Sequence, residues 1–472
     1  MRILLVFLVA CSSSPTVKSP SNTQAGTPAV DSGPIGTRGP IVIEASDPDG
    51  RWVVACQARE DTDGDGEVAI HLGLHGDTYG DAMTPFVIIG RGDGEPIDAF
   101  VDQTTDGNWI AAIAGGALVV IDGRTGQRTT IADADLRDDS YPTLGPRVAA
   151  FAGPDRLVFM RHRAGGDAVV IRELPGGRET EAAVPGAVWR IEPDAAGTWI
   201  RVLTVRKDSD GSGALDWPTQ HTSLSSRGCR GPISSYGTYG AAGDEPDMLW
   251  VALDGAQVVD DASVVAVAGA GLVRITADKA LTIGDEVVLP AGCDPIVRAA
   301  SAEPPRVLVG CGATAAGKTR LMLVGVKVKQ ELGIDVDRDD RVRSIAPGDR
   351  LACLDRELCI DVTTGAIRRG ELVYVDGDRL LIQKAGAYVV VDGGGAETVL
   401  PAIEGYPSAT AGPVIAIGKT VIDLSAAAIR GAVDGEIAAV DRSGRALVTT
   451  AVSARTPGPD LPGGPARWIS PK

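Results

Sequence analysis

The chain lacks most of what would announce a common enzyme. No Gly-x-Ser-x-Gly elbow is present to hold a strained serine nucleophile, and no cysteine and histidine stand in the flanks of a catalytic pair. Histidine occurs four times in 472 residues. His71 and His75, with Asp77 nearby, have the spacing of a zinc pair, but no helical period surrounds them to align the two rings, so they read as loop histidines. No basic stripe interrupts a formal net charge of -17, which argues against a nucleic-acid partner, because phosphate binding needs one. The acidity is read as serving solubility. No stretch keeps a sustained helical periodicity, and no apolar run approaches the roughly 20 residues that span a bilayer. No catalytic residue is assigned, although scattered carboxylates leave a spatially assembled pair open.

Short Val/Ile/Leu runs bounded by Gly, Pro and Asp fill the chain instead. Trp52–Cys56, Ala117–Ile121, Leu157–Met160, Ala168–Ile171, Leu321–Val324 and Ala387–Val391 are examples. They predict an all-β fold of many short strands. A turn leading into a strand recurs as Asp49-Gly50-Arg51-Trp52, Asp106-Gly107-Asn108-Trp109, Gly197-Thr198-Trp199, Gly348-Asp349-Arg350-Leu351, Gly377-Asp378-Arg379-Leu380 and Ser443-Gly444-Arg445-Ala446. A second turn follows a strand that ends in Asp, from Asp122 to Gly126 and from Asp361 to Gly365. This punctuation, at a period of about 40 to 50 residues, resembles the blades of TolB-like and WD40-like β-propellers from about residue 40 to 450. The resemblance implies a ring of four-stranded blades, seven or eight in number. The Gly-His and Trp-Asp marks of WD40 repeats and the tryptophan-docking signature of quinoprotein blades are absent, so no subfamily is assigned.

A longer repeat matches Gly50, Trp52, Arg59, Asp61 and Asp63 to Gly197, Trp199, Arg206, Asp208 and Asp210 at a constant offset of 147. Two equivalent strand-to-loop units are expected. Each ends in an acidic loop, Asp61-Thr-Asp63-Gly-Asp65-Gly66 and Asp208-Ser-Asp210-Gly-Ser212-Gly213, the second followed by Asp216. Alternating oxygen ligands with a glycine at the sixth position let a loop wrap a hard cation. The loops resemble the calcium loops of EF-hands and of some propellers, which implies structural calcium, although the bidentate Glu of an EF-hand is missing from both. Asp335, Asp337 and Asp339 keep the spacing without the glycine. A solvated turn is the alternative in all three. Gly312 to Thr319 has P-loop spacing, but strand-like residues follow where a helix is required, so no nucleotide is expected.

The first residues read as an export signal: Met1-Arg2, an apolar run from Ile3 to Ala10, then Cys11. Leu8-Val9-Ala10-Cys11 resembles the bacterial lipobox, which implies cleavage after residue 10, lipid on Cys11 and, with Ser12 next, the outer membrane. An ordinary secretory leader is the alternative. Residues 11–39 are rich in Ser, Pro and Thr, cannot bury a core, and form an unfolded tether. The propeller domain is placed at 40–472.

Six further cysteines remain in a compartment that permits disulfides. Cys353 and Cys359 flank a tight hairpin, and Cys293 and Cys311 lie nearly symmetrically about a Pro-Pro turn. Cys56 with Cys229 follows by elimination. Six cysteines allow fifteen pairings, with free thiols as the alternative. The expectation is an envelope-anchored lipoprotein that binds protein partners through propeller loops. A glycan or small-ligand propeller and an extracytoplasmic propeller enzyme, hydrolase or cofactor-dependent oxidoreductase, are the alternatives.

Overall fold

The computed structural model describes residues 41–472, apart from 58–69, 73–77, 81–85, 90–95, 132, 135–148, 164–165, 195–196, 209–219, 222–223, 226–232, 235–238, 241–246, 313–316, 338–341, 345–350, 355–357 and 450–466. The described chain is all-β. Consecutive strands pair antiparallel into nine four-stranded sheets and one three-stranded sheet. These blades run over 41–97, 99–131, 149–183, 187–259, 264–289, 296–337, 342–369, 371–399, 407–432 and 436–469, numbered 1 to 10 below. Three small two-stranded sheets lie within the insertions of blades 1 and 4.

Continuous apolar runs form these strands because each sheet is covered on both faces by its neighbours. Trp109–Ala114 and Ala117–Asp122 of blade 2 bury four residues in a row or nearly so, instead of alternating. One apolar cluster fills each seam between successive blades, from Trp52, Val54 and Ile110 between blades 1 and 2 to Ala416, Val440 and Val448 between blades 9 and 10. The tenth cluster joins Val53 and Ala55 to Ala439, Leu447 and Trp468 and closes blade 10 onto blade 1. Among the described residues no strand is shared across that closure: the first blade uses only N-terminal strands and the last only C-terminal ones.

First strands of neighbouring blades lie against one another at the 2–3, 3–4, 5–6, 6–7, 9–10 and 10–1 seams, which places the first strands on the inner wall of the ring. In eight of the ten blades the pairing of the first with the second strand slips by one residue, a bulge that bends the inner strand.

Ten blades exceed the seven or eight expected. The reason is compactness: blades 5 and 9 join their first two strands through two-residue turns, Gly269-Ala270 and Gly412-Pro413. They occupy fewer residues than the assumed period and carry no Asp-Gly signature.

Candidate interaction face

An even number of strands per blade returns the chain to the same side of the ring each time. Turns from first to second and from third to fourth strands therefore share one face, here the turn face. Connections from second to third strands and from blade to blade share the other. On the turn face no connection exceeds six residues. All the long connections, 58–85, 132–148, 206–246 and 450–466, leave from the opposite, loop face. The first strand also begins on the loop face, because its far end, Ser46, leads into the turn at 47–52.

The turn face is stapled. In blade 1 the buried carboxylate of Asp47 accepts hydrogen bonds from the Arg51 backbone N–H at 2.7 Å and from its Nε at 2.8 Å. In blade 10 Asp441 does the same for Arg445, at 2.9 and 2.6 Å. Asp194 caps the corresponding turn of blade 4 through the Thr198 N–H at 2.7 Å, and Thr104 caps that of blade 2 through the Trp109 N–H at 3.0 Å. Gly107 has φ +66 and its back lies against Asp47, where a Cβ would stand 1.9 Å from Oδ1; only glycine fits.

Donors from one blade then reach turn carbonyls of the next. Arg51 Nη2 donates to Asp106 O at 2.7 Å and Trp52 Nε1 to Gly107 O at 3.0 Å. Trp199 Nε1 donates to Ala270 O at 3.1 Å, and Tyr374 Oη to Gly412 O at 2.9 Å. Arg306 reaches Thr363 O, and Arg430 reaches Ser443 O. The closing blade completes the belt: the Arg442 N–H donates to Pro48 O at 2.7 Å and its guanidinium lies 3.4 Å from Asp49.

Charges near this face respond to burial and partners. Burial pushes the Tyr374 hydroxyl up to about 12, and burial raises the Asp376 carboxyl above its ordinary value, outweighing Arg379 and Arg442. For Asp423 burial acts in the same sense, but bonds from Ser425 and Arg430 outweigh it and its pKa is lowered.

The loop face carries ion networks instead of a belt. Arg161, 8% exposed at its side chain, is held by Asp133 at 2.7 Å, Glu179 at 2.8 Å and Glu181 at 3.1 Å. Burial opposes its charge, the three carboxylates outweigh burial, and its pKa rises. Asp133 belongs to the 132–148 connection, so this network fixes where that connection leaves blade 2. His162 Nδ1 lies 2.8 Å from Asp167, whose other oxygen accepts the Val188 N–H of blade 4 at 2.7 Å.

No family model and no curated protein matches the chain. Among solved structures it is similar to TolB from Acinetobacter baumannii, at 12% identity and a TM-score of 0.25, over 80% of this chain and 66% of that one. It is also similar to Porphyromonas gingivalis dipeptidyl peptidase 4, at 13% identity and a TM-score of 0.35, over 85% of this chain and 60% of that one. A third is the β-propeller domain of the Trilobed protease from Pyrococcus furiosus, at 11% identity and a TM-score of 0.30, over 76% and 94%. The chain is a β-propeller. It spans just under two thirds of the TolB chain and three fifths of the peptidase.

The residues singled out by sequence distribute unevenly on this propeller. Cys293 is bonded to Cys311 and Cys353 to Cys359, both at loop-face connections. The Cys56 side chain, Cys229 and Cys11 lie outside the described residues, as do Asp61, Asp63, Asp65, Asp210, Ser212, Asp216 and Asp339. Asp208 is exposed just past the second strand of blade 4. Asp335 and Asp337 lie in the strand Val328–Asp337, where Asp335 faces Arg320 at 3.3 Å and Asp337 faces Lys318 at 3.7 Å. Among the described residues no three His, Cys, Asp or Glu side chains gather as a metal site. Lys318 and Thr319 open a strand where a phosphate loop would open a helix. His71 lies in the strand Ile70–Leu72, and His75 and Asp77 lie outside the described residues.

The repeat at offset 147 corresponds to blades 1 and 4. Gly50 and Gly197 share a positive φ, and Trp52 and Trp199 both donate to the next blade's first turn. Sequence reasoning missed the Arg161 network and the Arg190, Glu192 and Arg201 cluster of blade 4. No local signal marks either, because their partners come from different strands.

Proposed function

We propose that this protein is an envelope lipoprotein, held by lipid on Cys11, that binds a protein partner through the loop face of its propeller. The observation that carries the reading is the sorting of every long connection onto one face while the other is reduced to short turns. Recognition residues concentrate on loops set on a rigid scaffold, and this ring supplies such a scaffold. The disulfides fit an oxidising compartment. Residues 12–39 would join the ring on the loop face, and a coil of that length extends about 30 Å, which keeps that face within reach of membrane neighbours. Calcium in the loops at 61–66 and 208–216 would brace the two largest insertions, and chelation should then lower the melting temperature.

The test is cross-linked purification of the full-length protein from its own envelope. Three forms are compared: the unaltered chain, Cys11→Ser, and a chain with 209–246 replaced by a short Gly/Ser turn. The expected result is one protein partner in near-equal amount with the unaltered chain, loss of membrane association in Cys11→Ser, and loss of the partner in the loop variant. A partner retained without the loops, or none at all, overturns the reading.

A further inference from the structure

The seam between blades 4 and 5 is built unlike the others. Its apolar cluster has four buried residues, Trp199, Trp250, Val264 and Leu272, fewer than any other seam. Toward the inner wall, charge replaces apolar packing. Arg190 and Glu192 stand on the first strand, Ala187–Pro193, and Arg201 on the second, Trp199–Val205. Glu192 is shared: Arg190 Nε lies 2.6 Å from one oxygen, and Arg201 donates to the other from Nε, at 2.7 Å, and from Nη2. Two guanidinium groups on one carboxylate leave a local excess of positive charge in a chain of net charge -17. The two arginines are 47% and 42% exposed at their side chains. Neither terminal nitrogen of Arg190 has an acceptor among the described residues.

Two tryptophans complete the arrangement. The register slips between Val188 and Arg190, so Trp189 is the extra residue of an inner-strand bulge, a feature that re-aims a side chain. Trp189 is half-buried and belongs to none of the ten apolar clusters. Trp250 pairs with Arg201 across the ladder, so the two side chains share one side of the sheet. It is 5% exposed, yet its Nε1 has no hydrogen-bond partner among the described residues. A buried donor left without an acceptor costs about 1–3 kcal/mol, and an acceptor arriving from outside would remove that penalty.

We propose that the inner side of the blade 4–5 seam binds a carboxylate carried on a ring. Arg190 takes the carboxylate through its two terminal nitrogens, a fork that matches the two oxygens, and Arg201, whose Nε and Nη2 are held by Glu192, adds positive charge beside it. The ring lies on the Trp189 indole, and Trp250 donates to the bound molecule. A uronic acid and an aromatic acid share this chemistry.

The test uses the full-length protein labelled with 5-fluorotryptophan, whose seven tryptophans give few fluorine resonances. Trp189→Phe and Trp250→Phe assign the two that matter. Glucuronate, benzoate and uncharged glucose are titrated to about 20 mM. The expected result is a saturable shift of both resonances by at least one acid and none by glucose. Response to glucuronate alone marks a sugar acid, and response to benzoate alone an aromatic one. Arg190→Gln with Arg201→Gln should weaken binding by at least about tenfold and leave the melting temperature nearly unchanged, because both side chains are half-exposed. If neither acid moves either resonance, or the double variant binds equally well, the proposal is overturned.

Discussion

The two faces of this ring solve different problems with the same strands. On the turn face, side chains cap their own turns and, at six of the ten seams, bond the neighbouring turn by short, directional contacts. On the loop face packing beneath the surface holds most blades, with a bond from the Val188 N–H of blade 4 to Asp167 of blade 3, and the connections above it vary from one residue to more than forty. The contrast teaches that capped turns and long connections are separated by the parity of the strand count. Substitutions on the two faces should therefore fail differently.

The largest expected effect is on the stapled face. Asp47→Ala removes a fully buried carboxylate and leaves Arg51 only the more distant Asp49, at 3.9 Å, so it should cost about 4 kcal/mol in urea unfolding. On the loop face, replacing Cys293 and Cys311 together by Ser should cost about 3 kcal/mol. The shorter loop closed by Cys353 and Cys359 should be worth about 2 kcal/mol. Shortening the 450–466 connection to a few Gly/Ser residues should change stability by less than about 1 kcal/mol, since loop entropy varies slowly with length. If that variant unfolds as readily as Asp47→Ala, the separation of the two faces is wrong.

The smallest effect concerns pH. The folded pKa of Asp376 is raised by burial, so the folded state holds that proton more tightly than the unfolded chain. Its contribution is most favourable below the ordinary Asp range and is lost as pH rises through the folded value. Asp376→Asn should therefore raise the melting temperature slightly near pH 7, by about 1 °C, and the gain should vanish below the ordinary range. Thermal scans at both pH values check it. Asp423, with its pKa lowered, should show the opposite dependence, stabilising above the ordinary range and losing that contribution as pH falls.

Much of the turn face was legible in the sequence, because turn chemistry is local. Five of the six turn-and-strand signals, from Asp49-Gly50 to Gly444-Arg445, fall between first and second strands of their blades, and the turn of the sixth, Gly348-Asp349-Arg350, lies outside the described residues. The hairpin around Cys353 and Cys359 was legible for the same reason. The number of blades was not, because Gly269-Ala270 and Gly412-Pro413 make their turns without an aspartate. The sorting of connections was not legible either, since it depends on counting every strand between two loops. The Arg190, Glu192 and Arg201 cluster required the register of blade 4, and a one-residue bulge beside Trp189 leaves no mark in an apolar run.

The closure of the ring sets an order of events in time. Nine seams join segments adjacent in sequence, whereas the tenth joins strands separated by nearly the whole chain, and its loop entropy is the largest in the molecule. Local blades can form early, so the contact of Val53 and Ala55 with Leu447 and Trp468 is the last to be made and the first to part. Backbone amides of blades 1 and 10 should then exchange with solvent sooner than those of blades 5 and 6, and the ring should come apart from its closing seam as an arc.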